Sequence, residues 1–303
     1  MLLTPANIAA TLEPSTLEVS GAAAVALENF RAEFSSDDAA FAASFARAEA
    51  AASAVLAVFD ADARQTGLAR LGLAATVEAR NAASVLSATL VAPSLDVLGV
   101  HELIDPGGEN PAALPDVAQS MLVPVALGHA HFVASRPFFL GNARTARAIL
   151  SAQLSAPPVP FPISGGLLTD DPGYRSAIEA YAAGDANPIV LVLARAVEAA
   201  IENARELATA LAISRDDWAA AMVGVRSHAS SRDLVAVVLE NPVIDAKLTV
   251  PALGVTLAAA YTSIETLVER GILVSRGPER RNRAWFAPAI LDAIDAFVQR
   301  ARP

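Results

Sequence analysis

Residues 135–147 read SRPFFLGNARTAR: an apolar Pro-Phe-Phe-Leu segment that breaks at Gly141-Asn142 into a stretch carrying Arg144 and Arg147. The first-turn N–H groups of a helix lack intrahelical partners and favour negative charge. A Gly-Asn turn that feeds a helix with two arginines three apart therefore has the chemistry of a phosphate cradle. No His, Asp or Glu lies within the stretch to take a proton or ligate a metal.

The elements expected to hold this turn are helical. Hydrophobic residues make up 54% of the 303 and aromatic residues only 5%, and the Ala- and Leu-rich bulk favours helix over sheet. Helical spacing runs over 22–33, 37–59, 61–71 and 73–90, with an N-cap cluster at Ser35-Ser36-Asp37-Asp38 before the second. A short helix ends near Ile104 and is followed by the turn Asp105-Pro106-Gly107-Gly108. A long apolar helix over 114–134 leads into the Gly-Asn turn, and 143–154 continues beyond it. Residues 157–162 read as an extended Pro-rich linker, 164–174 as a turn-rich loop, and 174–183 and 188–211 as helices.

The last ninety residues change character. A helix at 230–240 precedes a short helix, a turn at Gly254, a second helix over 256–270, and two strand-like pieces around a basic Gly-Pro turn. That order is a winged helix-turn-helix with a small β-hairpin. The chain divides into an N-terminal helical region (1–90), a helical core (91–212) and the winged helix (213–303).

Composition limits the chemistry. The chain has no Cys, which removes disulfides, thiolate nucleophiles and zinc ribbons. No leader pattern opens the sequence and no apolar run spans a bilayer, so no membrane partner and a cytoplasmic location are expected. A net charge of −10 argues against broad non-specific binding to nucleic acid. His129 and His131, two apart on one helix, cannot share a metal, and His101 and His228 lie elsewhere without a supporting cluster. All four read as structural or solvated.

The segment HAHFVASRPFFLGNARTAR resembles the signature of the Fic (filamentation induced by cAMP) family, H-P-F-x-[D/E]-G-N-G-R-x-x-R, with His129 and Phe132 matching the His and Phe that precede it. The resemblance extends through the following helices and the winged helix of bacterial members. It implies an all-α, Fic-like helical core with N-terminal helices and a C-terminal winged helix, and transfer of AMP from ATP to a hydroxyl of a target protein. Pro137, Phe138, Gly141, Asn142, Arg144 and Arg147 match. Arg136 stands at the general-base position, Leu140 at the magnesium-carboxylate position, and Ala143 at the second loop glycine. Arginine stays protonated and cannot act as a base, a loss of roughly 10²–10⁴ in rate, and leucine offers no oxygen to a hard cation.

Two further departures point the same way. The family's autoinhibitory helix, [S/T]-x-x-x-E-[G/N], aligns with RAEAAASAVLAVFDADAR, which keeps Ser53 but has Ala57 and Val58 where Glu and Asn belong. Only nine residues, 105–113, separate the helices that flank the family's substrate-docking hairpin, so that flap is expected to be missing.

The resulting expectation is a catalytically degenerate Fic protein acting as a binding or regulatory module. Gly141, Asn142, Arg144 and Arg147 are its nucleotide or anion site, no metal or cofactor is required, and ATP or another phosphate ligand is held without magnesium. Three partners stay open: DNA through Tyr261, Arg276, Arg280, Arg281 and Arg283 of the winged helix, a protein such as an active Fic protein, and a second copy in a homodimer. The alternative is an AMP-transferase with residual or relocated activity. It needs a base and a metal ligand from outside the signature, and the sequence suggests none nearby.

Overall fold

The computed structural model describes residues 12–34, 39–73, 76–107, 122–155, 159–226, 229–277 and 283–303. Among them the fold is all-α apart from one small sheet. The helices in chain order are α1 (Pro14–Glu33), α2 (Ala39–Leu56), α3 (Ala63–Arg70), α4 (Val77–Val91), α5 (Val97–Ile104), α6 (Leu122–Ser135), α7 (Asn142–Leu154), α8 (Ile163–Leu168), α9 (Asp171–Ala182), α10 (Asn187–Ala221), α11 (Ser230–Glu240), α12 (Ala246–Leu253), α13 (Leu257–Glu269) and α14 (Pro288–Ala301). The N-cap cluster at 35–38, the segment at 108–121 where the flap would lie, His228, and Arg280 and Arg281 of the wing fall outside the described residues.

Helix α10 is the spine. Its 35 residues extend ~52 Å at 1.5 Å per residue, and α1, α6, α8, α9 and α14 pack along it. It runs on past Leu211 to Ala221, so the boundary expected at 212 falls inside a helix, as does that at 90, within α4. Helix α2 crosses the bundle against α4 and α8. By length and composition α2 could cross a bilayer, contrary to the sequence reading, but 61% of it is buried inside the fold. Its apolar residues serve a core.

The sharpest departure from the sequence reading is at 164–174. Gly165 and Gly166 suggested a loop, yet α8 is a helix whose every residue is buried. A Cβ on Gly166 would lie 1.8 Å from the Ala196 carbonyl oxygen, and one on Gly165 would lie 2.4 Å from Phe297 Cζ. The glycines are there so that α8 can press against α10 and α14, not to make a turn.

The winged helix forms as expected, with one strand more. α12 and α13 meet at 105° around Gly254, which takes a left-handed φ of 63°, within the range of helix-turn-helix pairs. Strands β1 (Val243–Ile244), β2 (Val274–Ser275) and β3 (Trp285–Phe286) form an antiparallel sheet in the order β1-β3-β2. Val243 and Val274 both pair with Phe286. β1 escaped the sequence reading because two residues are too few to show alternation.

This unit is welded to the helical body. The Ala63 N–H donates to Asp295 at 2.8 Å, and Arg64 lies 4.8 Å over the Phe286 ring. Arg300 donates to Asn203 at 2.8 Å, whose amide in turn donates to the Phe297 carbonyl at 2.9 Å. The carbonyls ending α10 are capped from the winged helix, Met222 by Arg232 and Ala221 and Val223 by Arg270.

Candidate anion-binding site

Helix α6 ends just before the signature. Arg136 closes it in a left-handed conformation, φ 47°, with its N–H donating to the Phe132 carbonyl at 3.3 Å. Such a cap normally falls to Gly or Asn, and a larger residue there costs about 1–2 kcal/mol. Pro137 then prevents the helix from resuming. Phe138 turns inward and buries, while Phe139 (89% exposed) and Leu140 (55%) face solvent.

The loop is shaped by Asn142. Its Oδ1 accepts from the Phe138 N–H at 2.8 Å and its Nδ2 donates to the Phe138 carbonyl at 2.7 Å, closing residues 138–142 into a ring. Gly141 precedes α7 with φ 76° and no side chain caps the helix. A Cβ there would also approach Ile104 Cγ2 to 3.0 Å and His101 Cε1 to 3.4 Å, so glycine is required both for conformation and for space.

His101 thus belongs to this site, against the expectation that it stood apart. Its ring stacks on Phe138 at 3.4 Å and 8°, and its Nδ1 lies 3.0 Å from Thr145 Oγ1. Burial holds its pKa below the usual histidine value. Nothing in the sequence spacing linked a residue of α5 to this loop, since the two meet only in the folded chain.

The two signature arginines face inward. Arg144 donates to Asn81 Oδ1 and covers the Phe59 ring at 5.2 Å. Arg147 is 1% exposed. Its Nε donates to Ser53 Oγ at 2.9 Å and its Nη2 to the Ser53 carbonyl at 2.8 Å. Ser53, the residue that aligned with the start of the inhibitory motif, thus meets this arginine through its hydroxyl and its carbonyl.

Behind Arg147 sits a buried polar group. His129 Nε2 and Tyr174 Oη lie 2.8 Å apart. Burial, with the Arg147 charge acting in the same sense, pushes the His129 pKa down to about 3, so the imidazole is neutral. Burial raises Tyr174. Glu49, one turn before Ser53 on α2, accepts from the Ser164 N–H at 2.7 Å and from its hydroxyl at 2.5 Å. Burial pushes its carboxyl up to about 7 against those bonds and the Arg147 charge.

In front of the loop is an open cleft of about 470 Å³, lined by Arg136, Asn142, Arg147, Tyr174, Arg175 and Glu179 among others. Arg175 donates to the Leu56 carbonyl at 2.9 Å and pairs with Asp171. Glu179 is a carboxylate from outside the signature on this cleft, which the sequence reading did not foresee. Among the described residues no group of three or more His, Asp or Glu could hold a metal ion. The DNA candidates are partly committed elsewhere: Arg283 covers Trp285 at 4.8 Å and Tyr261 at 5.8 Å, whereas Arg276 is exposed.

No protein-family model matches the chain, and no curated protein matches it. Among solved structures the chain is similar to a Fic family protein from Desulfovibrio desulfuricans G20, at 14% identity over 91% of this chain and 96% of that one, with a TM-score of 0.49.

Proposed function

We propose that the chain is a catalytically degenerate relative of the Fic AMP-transferases that acts by binding an anionic ligand, ATP or another phosphate compound, in the cleft before α7. The observation that carries this reading is the contrast within one loop. Gly141, Asn142 and Arg147 keep a built, tightly bonded frame, while the base position holds a left-handed Arg136 and the metal-carboxylate position an outward Leu140. The α7 N-terminus has no side-chain cap, so its first-turn N–H groups and Arg136 are the anion donors. Of the expected side-chain donors, Asn142 is bonded to Phe138, Arg144 to Asn81 and over Phe59, and the buried Arg147 to Ser53. Magnesium does not fit the residues present, because a leucine replaces the oxygen ligand and the cleft offers the single carboxylate Glu179.

A second reading is kept alive by Glu179. Among the described residues lining the cleft it is the one carboxylate, and so the group that could stand in for the missing base in a relocated transferase. Incubation with labelled ATP, magnesium and candidate target proteins distinguishes the two. The expected result is no labelled protein; transfer that Glu179→Gln abolishes would replace the binding reading by the enzyme.

We infer further that the winged helix serves packing or protein contact more than base reading. Arg270, the one basic residue of its second helix, is spent on capping α10, and Leu257, Thr262 and Glu265 lie exposed on α13. Any DNA contact falls to Arg276 and the turn after it, which would hold phosphates without reading sequence.

A further inference from the structure

A second cluster of positive charge lies away from the signature, where α2 and α3 meet the sheet of the winged helix. Arg47 of α2 and Arg70 at the end of α3 line one small cleft of about 80 Å³ together with Gly67, Asn241 and Val243. Gly67 sets the seam: a Cβ there would lie 2.3 Å from Val243 Cγ2, so α3 presses directly on β1 beside the cleft.

Among the described residues the two guanidiniums have no ion-pair partner. Arg47 donates to the Ala43 carbonyl at 2.9 Å, and among the described residues Arg70 makes no hydrogen bond or ion pair. Neither has a carboxylate of the described residues within ion-pair distance, although the chain holds 32 Asp and Glu against 22 Lys and Arg. Burial, with the Arg70 charge acting in the same sense, pushes Arg47 down to about 9, and Glu240, the carboxylate that acts on it, opposes this from beyond ion-pair range. Arg47 is half-buried and Arg70 exposed at the mouth of the cleft, so an anion entering it meets both charges and offsets their repulsion. Asn241 holds the Val237 carbonyl only weakly, at 3.3 Å, and can turn its amide to donate.

We propose that Arg47 and Arg70, with Asn241, form a binding site for a small phosphate-class oxyanion at the seam between the N-terminal helices and the winged helix. The cleft is well below the few hundred Å³ of a nucleotide or drug-sized pocket. It suits a tetrahedral oxyanion that two guanidiniums grip by charge-assisted hydrogen bonds. Occupancy bridges α2 and α3 to the β1–α12 corner. This site does not depend on the function proposed for the signature cleft.

The test is thermal melting and calorimetric titration of the full chain with inorganic phosphate, sodium chloride at matched ionic strength being the control. Arg136→Gln, alone and with Arg70→Gln added, is run in parallel. Because the Arg70 side chain makes no bond, Arg70→Gln should fold, which far-ultraviolet circular dichroism checks. The expected result is saturable phosphate stabilisation that persists in Arg136→Gln, where the signature cleft has lost a donor, and whose affinity falls about tenfold or more when Arg70→Gln is added in that background. Glycerol phosphate in place of phosphate distinguishes the sources: equal binding assigns the site to a metabolite's phosphate head, and weaker binding assigns it to the free ion. A chloride effect equal to that of phosphate, no phosphate effect in Arg136→Gln, or an affinity there that adding Arg70→Gln leaves unchanged would overturn the site.

Discussion

Arg147 is a buried guanidinium held from α2. A buried guanidinium without a carboxylate in contact is unusual, and here two bonds to Ser53 and the company of Tyr174 and Glu49 replace the ion pair. Two members of this buried cluster, Glu49 and His129, make stability depend on pH. The folded pKa of Glu49, about 7, lies above the unfolded 4.5, so its contribution to stability is fully present below about 4.5 and is lost as pH rises through 7. His129 works in the opposite sense. Its folded pKa of about 3 lies below 6.5, so its contribution is full above 6.5 and is lost as pH falls toward 3. Glu49→Gln can keep both bonds to Ser164 with no charge to bury. It should be more stable than the parent at pH 8, by on the order of 1–3 kcal/mol, with the gap closing by pH 5. Urea melts across that range measure it, and a gap that is constant or widens toward acid would contradict the assignment.

At the scale of elements, what the sequence disclosed depended on the period of the pattern. Helices α5, α7, α9 and α11 announced themselves by apolar spacing and caps, as did α12 and α13 around Gly254. α8 did not, because Gly165-Gly166 carries the same local signal whether glycine makes a turn or admits a neighbouring backbone. Only the packed structure separates the two. Gly166→Ala places a methyl against a main-chain carbonyl that cannot rotate away, so α8 and α10 must part. The expected cost is at least about 3 kcal/mol, read as a fall in the urea midpoint; a variant as stable as the parent would mean that α8 is not seated on α10. The candidate site was legible where it is local, in the Gly141-Asn142 turn. It was illegible where it is assembled, since His101, Glu179 and Asn81 come to it from three other helices, whereas Ser53 was reached through the resemblance.

At the scale of the whole molecule the cleft is tied into the main core. The cleft is walled by α2, α6, α7 and α9, and the same α2 supports α8, α14 and the winged helix. Arg147 is therefore a structural tie as well as a wall of the cleft. The winged helix, bonded to α3 and α10 through Asp295, Arg300 and Arg270, is continuous with the helical body and its hydrophobic core. A ligand in the cleft touches elements drawn from both ends of the bundle, so its binding should stabilise the chain as a unit. Magnesium has no ligand at Leu140 through which to add to that binding. Calorimetric titration of the full chain with ATP, with and without magnesium, tests this most directly. The account predicts binding of the same affinity in both. Binding that appears only with the metal, or none in either, would contradict it.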